Sequence, residues 1–196
     1  MTGSQLMRWA MFGKKKKAAA VVEAATESRD VAALVLRATI GPMLFAHGYN
    51  KVAGPGGLAG TTGWFEALGL KPAEVHARLA AGTEMAAGVG MVLGIANPLP
   101  AAATVGLMSV AAQTDHKGKG FFVFKGGWEY TAIVGGAAVA LAALGNGKYS
   151  VDNLIGRRKS GLRPAVFAAG VGIANAALLM KFCYKPDPKP DEKVEA

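Results

Sequence analysis

The sequence predicts an all-α membrane protein: a four-helix transmembrane bundle plus a fifth, C-terminal transmembrane helix. Three observations carry this reading. Of the 196 residues, 52% are hydrophobic and only 18% charged, against about a quarter charged in ordinary soluble domains. There are 27 glycines, and small residues are what let membrane helices approach closely. The apolar residues also fall in runs close to the roughly 20 residues that cross about 30 Å of hydrocarbon at 1.5 Å per residue.

Taken in order, residues 1–30 form a basic N-terminal arm, in which Ala18 to Ser28 can make a short amphipathic helix lying at the interface. The apolar stretch before Lys14 is too short for a cleavable leader, and the lysines follow it instead of preceding it. Residues 31–152 hold four expected spans, Val31 to Val52, Leu79 to Ala96, Leu99 to Gln113 and Trp128 to Leu144. The second and third are separated only around Asn97-Pro98-Leu99-Pro100, where prolines force a break and make a tight helical hairpin. Residues 153–184 carry a basic loop and the fifth span, Pro164 to Phe182. Residues 185–196, proline-rich and charged, cannot build a core and read as a disordered tail.

The net charge of +9 raises nucleic acid as a partner, but the charge does not lie along one face. It sits in short blocks beside apolar segments, Lys14 to Lys17 and Arg157-Arg158-Lys159, which hold helix ends on the cytoplasmic side and attract anionic lipid. Membrane lipid is therefore the expected partner and nucleic acid is not. With the blocks inside, the N-terminus is cytoplasmic and the C-terminus outside. The chain has one cysteine, Cys183, which excludes an internal disulfide or dithiol pair. Neither His47 nor His116 has a glutamate or a second histidine at i, i+3 or i, i+4 on one helix, so no metal site is expected. No flavin, haem or iron–sulfur ligand set is recognisable either.

Ionisable residues inside a span cost several kcal/mol unless paired or hydrated, so each is a functional candidate. On an up-down path His47, Lys51, Glu84, Asp115, His116, Glu129 and Tyr130 all reach the same end of the bundle. There they form a candidate pocket for a ligand or partner, with His47 as the nearest partner of Glu84 and a proton relay as available chemistry. The plainer alternative is a set of interfacial ion pairs and caps, with Lys51 and Tyr130 snorkelling to the headgroups. At the opposite end Arg37 lies too deep to escape, and Asp152 is its expected bidentate acceptor, a structural pin between the first and fourth spans. Small residues at Gly90, Gly94, Gly135, Gly136, Gly170 and Gly172 mark close helix contacts.

These residues resemble the DoxX family of small bacterial membrane proteins. The likeness runs from Arg37 to Gly41, through His47-Gly48 with Lys51, Phe65 with Gly69, and Glu84 with Gly88 and Gly94. It continues through Gly120-Phe121-Phe122, Gly127 with Glu129-Tyr130, and the stretch from Gly145 to Asp152. The resemblance implies a four-helix membrane core in a bacterial inner membrane, usually without a defined enzymatic role. Some relatives are similar to the small subunit of a thiosulfate:quinone oxidoreductase, and others are linked to sulfur and oxidative-stress handling. The expected function is an accessory subunit of a respiratory or redox assembly that contacts a quinone or partner proteins at the mouth of the bundle. A quinone-linked oxidoreductase subunit and a small transporter are the alternatives, although the transporter's inverted repeats and broken midplane helices are not visible.

Overall fold

The computed structural model describes residues 3–186, and among them all the regular structure is helical, with no strand beyond a single backbone bridge. The α-helices are α1 (Gly3–Ala53), α2 (Gly57–Ala67), α3 (Ala73–Leu93), α4 (Leu99–Gln113), α5 (Glu129–Leu144), α6 (Val151–Leu154) and α7 (Leu162–Cys183). Helices α1, α3, α4 and α5 close a ring in which each packs on the next, and α7 lies against α4 and α5.

Helix α1 is the main departure from expectation. It is one rod of 51 residues, about 76 Å long at 1.5 Å per residue. Nothing in Lys14 to Asp30 breaks a helix, because the stretch lacks glycine and proline and is rich in alanine. The separate interfacial helix expected over Ala18 to Ser28 is therefore the middle of a continuous arm, exposed on every side from Lys14 to Arg29. The end of the bundle from which this arm projects is called here the arm end, and the opposite one the far end.

The interior is built from small side chains and the outside from large ones. Ala33, Ala77, Ala81, Ala138, Ala142, Ala168 and Ala176 are each at most 1% exposed. Val35, Leu79, Ile133, Val166 and Ile173 point outward at 55 to 64% exposure. A water-soluble bundle does the reverse, whereas an alanine and glycine interior with an aliphatic exterior suits helices surrounded by hydrocarbon. Helices α1 and α3 approach closely. A Cβ on Gly48 would stand 2.6 Å from the Ala81 carbonyl oxygen, and one on Gly88 2.6 Å from that of Gly41. Gly172 of α7 meets Val105 of α4 in the same way, at 2.6 Å. Gly136 and Gly170 face open space instead and need no glycine for packing.

By length and composition two helices can cross a membrane, the Lys14–Ala53 part of α1 and α7. Helices α4 and α5, largely apolar, have 15 and 16 residues, somewhat short of a full hydrocarbon crossing of about 20. Helix α3 has 21 residues but carries Glu74, His76, Arg78 and Glu84, and it starts one and a half turns before the expected Leu79.

The connections explain where the polar groups end up. At the arm end Gly94 terminates α3 at φ 64°, and a Cβ there would come within 2.7 Å of the Arg37 Cζ. The position thus requires glycine for both its turn and its neighbour. Ser150 caps α6 by accepting from the Asn153 amide at 3.2 Å. At the far end the residues after α7 are pinned. The Lys71 amide donates to Cys183 O at 2.8 Å and the Lys185 amide to Gly69 O at 2.7 Å. The expected disordered tail thus begins as an ordered strap, and its remainder, from residue 187, lies outside the described residues.

Candidate functional site

Two polar clusters occupy the two ends of the bundle. At the arm end Arg37, 3% exposed, uses its planar fork on four backbone carbonyls. Nε donates to Met91 O at 2.8 Å and Nη2 to Val92 O at 2.8 Å, while Nη1 donates to Asn146 O at 2.8 Å and Tyr149 O at 2.7 Å. One side chain of α1 thereby ties down the last turn of α3 and the loop after α5.

Asp152 belongs to the same knot but does not bond Arg37, which corrects the expected ion pair. Its carboxylate accepts from the Ala96 amide at 2.9 Å, the Asn97 amide at 2.9 Å and the Asn146 Nδ2 at 2.8 Å. The acid takes up amides that the helix break at Asn97 leaves without partners. The two residues are joined through Asn146, whose carbonyl serves Arg37 and whose side-chain amide serves Asp152. Asn97 and Asn146, both buried, are essential members that charge-based reading passes over. An asparagine amid apolar residues at a helix end was the available signal.

The far end is where the candidate pocket was expected. Its core is an ion pair between α1 and α3. The Lys51 Nζ donates to both Glu84 oxygens, at 2.9 and 2.7 Å, with side chains only 13 and 9% exposed. The partner of Glu84 is thus Lys51 and not His47. The close glycine contacts of α1 with α3 bring the two backbones near enough for this reach. Thr61 of α2 holds the end of α1 by donating to Lys51 O at 2.9 Å.

His47 and Tyr130 form the adjoining part of the seam. Their rings lie 6.2 Å apart, and the Tyr130 hydroxyl contacts the Met43 sulfur at 3.0 Å. Tyr130 is also within the electrostatic reach of Glu84. The His47 ring is on the exposed face of α1, open to whatever surrounds the bundle.

The other expected members are held elsewhere. The Glu129 carboxylate accepts from the Val123 amide at 3.0 Å and so fastens the loop before α5. Asp115 contacts Lys119 at 3.4 Å, and His116 Nδ1 bonds Gly126 O at 2.6 Å. These contacts shape the 114–128 loop, whose exposed Phe121, Phe122, Phe124 and Trp128 form a chain of ring contacts. Aromatic side chains at one helix end favour the headgroup layer. A cavity of about 280 Å³ opens there between α4, α7 and the loop, lined among others by Gln113, His116, Trp128 and Met180. The structure therefore brings together Lys51, Glu84, His47 and Tyr130, whereas the contacts of Asp115, His116 and Glu129 are made to the 114–128 loop.

Comparison with known proteins gives one finding. Residues 32–117 match the family model described as DoxX, a stretch that holds His47, Lys51, Glu84 and Asp115 and ends before α5. No curated protein and no solved structure matches the chain.

Proposed function

We propose that this chain, which through residues 32–117 belongs to the DoxX family of membrane proteins, serves as an accessory subunit of a redox assembly. It engages a quinone at the seam of Lys51, Glu84, His47 and Tyr130. The family is generally linked to quinone-related redox chemistry. The observation that carries the reading is the enclosed Lys51–Glu84 pair. Two charges taken out of water are seldom worth their desolvation for stability alone, and within a span they mark function by default.

A quinone headgroup presents two carbonyl acceptors on an apolar ring. The Tyr130 hydroxyl and the His47 ring are donors at the edge of the seam, and apolar side chains around them suit the ring and its tail. In this reading the electrons come from a partner protein. The proposed topology has five crossings, with the arm end cytoplasmic in a bacterial inner membrane, which places the seam toward the outer leaflet.

The test is the quinone content of the protein purified in mild detergent, measured by solvent extraction and chromatography. His47→Leu and Tyr130→Phe each remove one donor and are expected to lower retained quinone about tenfold. Glu129→Gln, whose carboxylate serves the loop, should retain the wild-type amount. Equal quinone in all four proteins, or none in the wild type, overturns the assignment.

A further inference from the structure

The arm end carries a second cavity, of about 290 Å³, between α1 and the loop joining α5 to α7. Arg29, Lys148, Arg157, Arg158 and Lys159 line it, against a single carboxylate, Asp30. Asp30 stands 3.8 Å from Arg29 and leaves the other cations unbalanced.

The loop is fixed by its backbone alone. The Arg157 amide donates to Asp152 O at 2.7 Å, Asn97 Nδ2 donates to Lys159 O at 3.0 Å, and the Gly161 amide donates to Ala143 O at 2.7 Å. No carboxylate among the described residues pairs with the side chains of Arg157, Arg158 or Lys159, and all three are exposed. The result is a loop held by its backbone that presents cations to an open cavity, and guanidinium forks match phosphate oxygens.

The surroundings show which phosphate. Leu154, Ile155 and Leu162 flank the loop at 82, 58 and 78% exposure. Large apolar side chains left outside beside a cluster of cations belong at the boundary of acyl chains and headgroups. We propose that this cavity binds the phosphate-bearing headgroup of an anionic phospholipid, held by Arg157, Arg158 and Lys159 from one side and Arg29 from the other. It stands apart from the quinone reading, since it lies at the opposite end of the bundle and uses none of the same residues. The site would tie the base of the long α1 arm to the membrane surface and fix the arm's angle.

The full chain in a neutral detergent is titrated with short-chain phosphatidylglycerol, phosphatidylcholine and inorganic phosphate, with binding read by native mass spectrometry. Phosphatidylglycerol is expected to bind at least about tenfold more tightly than phosphatidylcholine. Replacing Arg157, Arg158 and Lys159 together with glutamine should weaken it by roughly a hundredfold, about fivefold per charge. Replacing Lys14 to Lys17 with glutamine removes more charge but none of the cavity, and should leave the preference intact. Three results each overturn the proposal: unchanged lipid affinity in the loop variant, equal loss in the Lys14 to Lys17 variant, or saturation by inorganic phosphate with no added affinity from the lipid.

Discussion

Arg37→Leu is expected to destabilise the protein by about 3–5 kcal/mol, the cost of breaking a buried charged network. At this chain length that is a fall of roughly 10 °C in the unfolding midpoint in detergent. The leucine would leave four carbonyls, those of Met91, Val92, Asn146 and Tyr149, without their donor in a site that is 3% exposed. Arg37→Lys should recover little of the loss, because one ammonium cannot reach carbonyls on both sides of a planar fork. Asp152→Asn should also destabilise, since an amide cannot accept from three donors as the carboxylate does. Combined with Arg37→Leu, its loss should be less than additive, because either change frees the Asn146 loop they share. Strict additivity of the midpoints would show that the two anchors act independently.

Breaking the far-end pair by Glu84→Gln is expected to cost a similar amount, about 3–5 kcal/mol, because the Lys51 ammonium stays enclosed without its counter-charge. Lys51→Met should be comparably damaging, leaving the carboxylate alone. The double variant, Lys51→Met with Glu84→Gln, should recover much of the stability, since an uncharged pair bears no desolvation cost. The thermal midpoints of all four proteins close the cycle. If the double variant is as unstable as the sum of the two singles, the pair contributes no coupling and its burial has no energetic role.

Much of the fold was legible because apolar length is a coarse signal that survives ignorance of packing. The expected span over Leu99 to Gln113 coincides with α4, and those over Trp128 to Leu144 and Pro164 to Phe182 differ from α5 and α7 by a residue or two at an end. Helix α2 falls between the first two expected spans, where glycines at 57, 60 and 63 weaken any helical signal, and it forms with Phe65 buried against Ala77 of α3 and Thr61 bonded to the end of α1. The site was legible in its ends and not in its pairs. Arg37 and Asp152 are at one end as expected, but every residue carries a carbonyl, so nothing in the side-chain pattern reveals that Arg37 bonds backbone. His47 and Lys51 are one helical turn apart, and only the close contact of α1 with α3 decides which of them meets Glu84.

In the proposed topology the bundle's two polar ends lie on opposite faces of one membrane. Single cysteines at Lys119 and Arg158, in a Cys183→Ser background, test it directly with an impermeant maleimide on intact cells, since α5 is the one long helix between the two loops. Lys119→Cys should be labelled from outside, and Arg158→Cys only after the cells are permeabilised. Identical labelling of both positions would deny that α5 crosses the bilayer, and labelling of Arg158→Cys alone would invert the protein.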